Sequence, residues 1–192
     1  NMTRPTLREV AELSLFASRS LKAMVPGDAE EEKLARFEAL ASAPWSRERI
    51  REQILPAADS VQLSLTLRKL RRDIMLSLIG RNSTGACGFH EVVDTMTVFA
   101  EEAVQAVVRV HGRELAERLG VPMSAEGIPQ DLLVVGMGKL GGRELNVSSD
   151  IDLIFLYGDE GETRPTAEFP NARRSVTVDE FYARLARRII PA

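Results

Sequence analysis

The feature that most limits how this chain folds is a glycine-rich segment, Gly136–Gly142, which runs through a short connection into two acidic residues and an apolar stretch. Glycine lets the backbone approach phosphate oxygens closely, because it has no side chain in the way. Asp150 and Asp152 stand at the entrance of a predicted strand, where side-chain alternation points both carboxylates to one face, roughly 6 to 7 Å apart at Cα. Two carboxylates so placed share divalent cations readily. The segment therefore predicts a nucleotide and metal site.

The composition is that of an ordinary folded protein. The chain has 192 residues, 44% hydrophobic and 28% charged, enough for one good-sized core or two small ones. A formal net charge of -3 predicts no general attraction to nucleic acid or to an anionic membrane. No apolar run approaches the ~20 residues of a membrane span, and Cys87, the single cysteine, cannot form an intramolecular disulfide. We therefore expect a cytoplasmic protein with neither a membrane nor a nucleic acid as partner.

Hydrophobic residues recur at helical spacing through most of the first two thirds of the chain. The pattern predicts helices over residues 6–24, 28–40 with Asp28 as N-cap, 46–55, 59–79 and 91–119. The fourth of these is ambiguous, since apolar residues alternate from Val61 to Leu67 as in a strand but follow helical spacing from Leu67 to Leu78. We predict a helix there because the segment is long and lacks turn signals.

That predicted helix carries a basic cluster formed by Arg68, Lys69, Arg71 and Arg72. Such a cluster is able to engage phosphate or nucleic acid. However, aromatic residues are not interleaved with it, and a charge run of this kind is typical of a solvated helix face. We interpret the cluster as a solvated face.

The last third of the chain has a different pattern. Residues 121–130 are rich in proline and glycine and predict a linker. Beyond it, the apolar runs 132–135 and 151–157 predict buried strands, 159–174 a polar loop and 178–190 a helix. We therefore divide the chain into a helical region, 1–128, and a smaller unit, 129–192. The predicted fold class is mainly α with a small α/β part.

The glycines also match the dinucleotide-binding fingerprint G-x-G-x-x-G, with Asp159 about where a ribose-binding acid is expected. Yet only Gly142–Ser149 separate the last glycine of that fingerprint from the acidic strand, whereas a parallel crossover needs a dozen or more residues. A Rossmann-type domain therefore remains a less favoured alternative, which leaves the acid pair unexplained. A P-loop is excluded, because Leu140 occupies its Ser/Thr position.

An Asp-x-Asp pair alone is typical of a solvated strand end, but the context of this pair favours chemistry. It leads directly into the apolar run 153–156 and follows a phosphate-sized glycine turn, which fits two-metal phosphoryl or nucleotidyl transfer. In these residues the chain resembles the nucleotidyltransferase superfamily of DNA polymerase beta, whose hallmark is a glycine turn followed by Ser-Asp-x-Asp in a strand. It departs from that pattern at Lys139, where the superfamily usually has a small residue.

A closer resemblance rests on the unbroken string Gly138–Phe155, which is characteristic of the bifunctional adenylyltransferase and adenylyl-removing enzyme that acts on glutamine synthetase. That family has two catalytic halves, and Asn146 and Ile151 resemble the N-terminal, adenylyl-removing half. The resemblance implies that residues 129–192 are part of a polymerase beta-like nucleotidyltransferase domain. It also implies the removal of AMP from adenylylated glutamine synthetase by phosphorolysis, giving ADP, in an enzyme that also adenylylates and so regulates nitrogen assimilation.

The resemblance assigns roles to individual residues. Asp150 and Asp152 are expected to be catalytic and to ligate Mg²⁺. The expected nucleotide- and phosphate-binding residues are Gly138, Lys139, Gly141, Gly142 and Ser149. Of these, Lys139 is equally consistent with a solvated turn lysine, and Ser149 with positioning of the turn. The implied partners are glutamine synthetase, the PII signalling protein, ADP or ATP, and inorganic phosphate.

One part of the family's site is missing from the sequence. The superfamily usually supplies a third carboxylate from a later strand, in this family within an Asp-x-Arg-x-Arg-Pro-like stretch, and no such stretch precedes Ala192. We therefore expect the chain to be part of a larger enzyme and to be inactive by itself. The alternative is a catalytically incomplete module that binds nucleotide, or regulates, without turnover.

Overall fold

The computed structural model describes residues 4–25, 27 and 29–190. The helices are α1 (Leu7–Leu13), α2 (Leu15–Met24), α3 (Glu30–Ala41), α4 (Arg47–Ile54), α5 (Ser60–Thr84), α6 (Phe89–Leu119), α7 (Gly138–Gly141) and α8 (Val178–Ile189). The strands are β1 (Val121–Ser124), β2 (Leu133–Met137), β3 (Asp152–Leu156) and β4 (Gly161–Arg164). The predicted fold class, mainly α with a small α/β part, is confirmed.

The predicted helix over residues 6–24 is two helices, because the chain breaks at Ser14. Ser14 has extended backbone angles, and its hydroxyl accepts a hydrogen bond from the amide of Ala17 at 3.2 Å, which caps α2. A serine side chain competes in this way for backbone groups that a continuous helix would pair internally. Thr6 and Glu9 form a capping box at the start of α1. The predicted N-cap Asp28 lies outside the described residues.

Helix α5 is central to the helical region and confirms the helix predicted for residues 59–79. Asp59 caps it by accepting the amide of Gln62 at 2.8 Å, and Gly85 ends it with a φ of 77°. One face of α5 packs in the main core with α4, α6 and α8, whereas Leu76 joins a second core with α1 to α3. Because α5 is buried on more than one side, its apolar residues do not form a single stripe. The strand-like alternation in the sequence comes from Val61 and Leu65, which are apolar but exposed, at 69% and 63% of their maximal accessible surface.

The four strands form two separate antiparallel pairs, β1 with β4 and β2 with β3. The segment 121–130, predicted as a linker, therefore contains β1, and the polar loop predicted for 159–174 contains β4. Both strands have only four residues, too few to show a clear alternation in sequence. The boundary at residue 128 remains a prediction, although β1 lies before it and pairs with β4 beyond it.

The β2–β3 pair is buried on one face only, so the prediction of buried strands was wrong for the other face. Leu153 and Phe155 point to the main core. The opposite face is exposed, with Leu133 at 60%, Ile154 at 43% and Leu156 at 48% of their maximal accessible surface. A fully apolar run cannot distinguish a strand covered on both sides from one covered on one side.

Helix α8 confirms the helix predicted over residues 178–190, and it packs against α6, β1 and β4. Phe181, Tyr182 and Leu185 are buried against the core. The Tyr182 hydroxyl donates to the Gln130 carbonyl at 2.7 Å, and burial raises the pKa of this tyrosine. Among the residues that the structure describes, no helix is long and apolar enough to cross a membrane.

His111 on α6 gives the stability of the fold an expected pH dependence. Burial lowers the pKa of His111 below its ordinary value of 6.5, Glu114 acts in the opposite direction, and Arg188 on α8 acts with burial. The unfolded chain therefore binds more protons than the folded chain just below this ordinary pKa. The free energy of unfolding should fall as the pH decreases through 6.5 and level off below the folded-state pKa.

The measurement is urea unfolding between about pH 8 and pH 5. We expect the free energy of unfolding to change less with pH in the variant His111→Gln, by up to about 1 kcal/mol over this range. His90→Gln, at an exposed position of the same helix, is the matched control for the replacement of a histidine. Equal slopes for wild type and His111→Gln would contradict the assignment.

Candidate functional site

The glycine segment folds as a tight turn between β2 and the connection to β3. Gly138 has a φ of +52°, in the left-handed region that favours glycine, and its carbonyl accepts the amide of Gly142 at 3.0 Å. At Gly141 a Cβ atom would lie 2.5 Å from the carbonyl oxygen of Gly136, closer than any real contact. The turn therefore requires glycine for its own packing, independently of any ligand.

Two leucines anchor this turn to the helical region. Leu140 and Leu145 are both buried in the main core, and Leu145 is only 3% exposed. The Glu144 amide, just before Leu145, donates to the carbonyl of Lys139, just before Leu140, at 2.8 Å. The apolar residues of the string thus position the turn, while Lys139 itself is exposed.

The connection to the acid pair is a second turn built by its own polar side chains. The amide of Asn146 donates to the Ser149 hydroxyl at 3.3 Å, and the amide of Ser148 donates to Asn146 Oδ1 at 3.0 Å. Of the two predicted roles of Ser149, this hydrogen bond accounts for positioning of the turn. Contact of Ser149 with a phosphate stays a prediction.

The structure places the two acids differently. Asp152 begins β3, pairs in register with Met137, and its Oδ2 lies 3.1 Å from where a Cβ would stand on Gly138. The tertiary fold therefore brings this carboxylate against the glycine turn. Asp150 precedes the strand, so the alternation that predicts a common face for the two acids does not extend to it. Both residues are exposed.

Asp150 instead lines a cavity of about 440 Å³ between the helices and the sheet. The inner walls are apolar and come from α5, α6 and the core-facing side of β3; they include Leu67, Met96, Phe99, Val107, Leu153 and Phe155. The polar residues of the cavity are Ser149, Asp150, Arg68 and Arg71. A cavity with apolar walls and a few convergent polar groups is typical of a small-molecule site.

Arg68 and Arg71 are the residues that sequence reasoning missed. The prediction of a solvated face fits Arg68, Lys69 and Arg71, which are all exposed, but Arg68 and Arg71 also line the cavity that Asp150 lines. Their three-residue spacing, which places them on one side of a helix, was the available signal. It could not show what that side of the helix faces.

A chain of ion pairs connects the glycine turn with α4 and α6. Arg143, which follows the turn, donates to Glu101 at 2.8 Å, and Arg47 bonds both Glu101 and Glu102. Glu102 is 5% exposed and also accepts from Arg51 at 2.9 and 3.0 Å. The hydrogen bond from Arg51, with that from Arg47, lowers the pKa of Glu102 despite its burial. The network thus couples the helical region to the candidate site.

The two acids have the donor chemistry that Mg²⁺ prefers. Mg²⁺ binds oxygen ligands and is often held by one or two carboxylates together with water and substrate phosphates. In the part of the chain that the structure describes, no group of three or more histidine, cysteine or acidic residues is arranged to hold a metal.

The relatives of this chain are adenylyltransferases, a class of nucleotidyltransferase. A family model described as Glutamate-ammonia ligase adenylyltransferase matches residues 7–192, and the chain belongs to this family. Proteins of Bordetella pertussis and Ralstonia nicotianae are 46% and 43% identical to it, over 159 and 164 residues. Both are named bifunctional glutamine synthetase adenylyltransferase/adenylyl-removing enzyme. The matches cover 82% of this chain but only 15% and 16% of those relatives.

Proposed function

We propose that this chain is part of an enzyme that removes AMP from adenylylated glutamine synthetase by Mg²⁺-dependent phosphorolysis. The observation that carries the proposal is the position of Asp152 against the glycine turn, with Asp150 two residues before it. The names of the relatives support the substrate and the two opposed activities. On this proposal the enzyme regulates nitrogen assimilation, also adenylylates, and takes PII as a regulatory partner.

In the reaction, an oxygen of inorganic phosphate attacks the phosphorus of the adenylyl group. The bond between phosphorus and the tyrosine oxygen breaks, the phenolate takes up a proton, and ADP is released. Asp150 and Asp152 would hold the metal, which when bound neutralises the phosphate oxygens and the developing phenolate. The glycine turn, with the exposed Lys139 in it, would contact the nucleotide phosphates.

The same observations give this chain by itself a more limited role. In the described residues no third acid is grouped with Asp150 and Asp152 to hold a metal, and the chain spans only 15% and 16% of the length of the two relatives. We therefore propose that the adenylyl-removing activity resides in a longer protein that contains this sequence. A regulatory or binding module is the second candidate, and it is distinguished by an absence of turnover in that longer protein as well.

Calorimetric titration of ADP into the chain, with and without Mg²⁺, tests whether the nucleotide site is formed here. We expect binding that depends on Mg²⁺ and that the double variant Asp150→Asn, Asp152→Asn loses, because amides are poor ligands for this ion. Glu168→Gln, which removes an exposed acid from the polar loop, is the control and should bind as the wild type does. Unchanged binding by the double variant would refute the metal assignment.

A further inference from the structure

We propose that Arg68 and Arg71 form an anion subsite that holds a phosphate group beside Asp150. The two arginines lie three residues apart on α5 and line the same cavity as Ser149 and Asp150. Helix α5 belongs to the helical region, whereas the acids belong to the α/β part. The proposal therefore makes the helical region a contributor to the binding site, and it deepens the proposed function on which it rests.

The hydrogen bonds of the basic cluster separate these two arginines from their neighbours. Arg72 is occupied by Asp73, at 3.2 and 3.3 Å. Arg71 uses one donor for the Val147 carbonyl, at 3.2 Å. Within the described residues, neither Arg68 nor Arg71 lies within 4.0 Å of a carboxylate oxygen, which leaves most of their donors available. A guanidinium group carries five donors in a fork that matches phosphate oxygens.

The shape of the cavity indicates which phosphate compound fits. Its inner walls are apolar and its volume of about 440 Å³ is within the range of ordinary ligand sites. The charged residues Arg68, Arg71 and Asp150 all lie on α5 or just before β3. A ligand with a planar ring linked through a sugar to a phosphate fits both kinds of surface, since the ring covers the apolar walls and the phosphate meets the arginines. Because the glycine turn and Asp152 do not line this cavity, we assign the subsite to a second phosphate of a nucleotide such as ADP, distinct from the one proposed at the turn.

The contact between Arg71 and Val147 gives the subsite a link to the metal position. Val147 lies in the connection that Asn146 and Ser149 shape, immediately before Asp150. The same guanidinium that faces the cavity therefore also holds the backbone of this connection. An anion bound by Arg71 would be adjacent to the turn from which Asp150 projects.

The test is calorimetric titration of the chain with ADP and, separately, with inorganic phosphate. We expect Arg68→Ala, Arg71→Ala to weaken ADP binding by about tenfold or more, since charge-assisted hydrogen bonds to phosphate are lost. Lys69→Ala is the matched control, because it removes a positive charge from the same cluster at a residue that does not line this cavity. Arg71→Lys keeps the charge and should recover part of the affinity, which separates charge from a folding defect.

The outcomes distinguish this inference from the proposed function. Arginine variants that bind ADP and phosphate as tightly as the wild type overturn the subsite, as does an absence of binding to a folded wild-type chain at millimolar ligand. If phosphate alone binds with the same dependence on the arginines, the subsite stands and takes the attacking phosphate. If the arginine variants bind ADP more weakly but the double variant Asp150→Asn, Asp152→Asn binds it as the wild type does, the subsite stands and the metal assignment fails.

Discussion

Asp152→Asn, in a longer protein that contains this sequence, is expected to lower the rate of the proposed adenylyl removal by roughly 100-fold or more. The Asp152 carboxylate lies against the glycine turn, where the phosphate is proposed to bind, and asparagine removes its charge at nearly constant volume. The negative charge on the phosphate oxygens would then no longer be neutralised by a bound metal ion. The measurement is the release of ADP from adenylylated glutamine synthetase in the presence of phosphate and Mg²⁺.

Asp159→Asn is the matched control for this experiment. Asp159 is an exposed acid whose backbone bonds the side chain of Gln130, so the change of its carboxylate leaves that interaction in place. It is also the residue that a dinucleotide-binding domain would use for the ribose. Full activity in Asp159→Asn with loss in Asp152→Asn is the expected result. The reverse pattern would favour the Rossmann-type alternative, and near-normal turnover in Asp152→Asn would refute the role of this acid.

Gly141→Ala is expected to destabilise the glycine turn by about 1–3 kcal/mol and to abolish Mg²⁺-dependent ADP binding. A Cβ at this position would lie 2.5 Å from the backbone oxygen of Gly136, which has no flexible atoms that can move away. The turn must therefore shift, and with it the backbone next to the Asp152 carboxylate. The measurements are urea unfolding and calorimetric titration of ADP.

Gly142→Ala separates this effect from a general intolerance of side chains in the turn. The nearest atom to a Cβ at Gly142 is the Gly138 carbonyl oxygen at 3.4 Å, and the backbone of Gly142 is in the ordinary right-handed helical region. This variant should retain its stability to within about 0.5 kcal/mol. If Gly141→Ala were tolerated as well as Gly142→Ala, the close approach to Gly136 would not limit the turn.

The dependence of the site on the helical region follows from how the turn is held. Leu140 and Leu145 are buried in the core that α5 and α6 form, and Arg143 is paired with Glu101 on α6. The glycine turn therefore takes its position from helices that precede it in the chain. A strand pair with one exposed face has little rigidity of its own, so these anchors determine where the acids lie.

Much of the fold could be predicted from the sequence because long helices repeat the same pattern over several turns. The segments predicted at 46–55, 91–119 and 178–190 correspond to α4, α6 and α8. The errors occur where one residue or a few decide the structure. Ser14 interrupts a pattern that continues across it, and β1 and β4 are too short to alternate clearly.

The candidate site was predictable only in its local part. The sequence predicts the glycine turn and the acid pair as one site because they are close along the chain, and the short strand pair places Asp152 against the turn. The pair Arg143–Glu101 is separated by 42 residues, and Arg71 contacts Val147 across 76 residues. No local pattern specifies contacts at such separations, because they depend on how α5 and α6 pack against the sheet.

The sequence by itself determined that this chain has a helical region, a glycine turn and an acid pair, and it indicated the family through the string Gly138–Phe155. These features are set by local backbone preferences and by chemistry within a few residues. Only the tertiary structure decided that Arg68 and Arg71 face the cavity beside Asp150 and that one face of the β2–β3 pair is exposed. The physical reason is that helical periodicity shows which side of a helix is apolar, whereas the packing of the core decides what lies opposite each side.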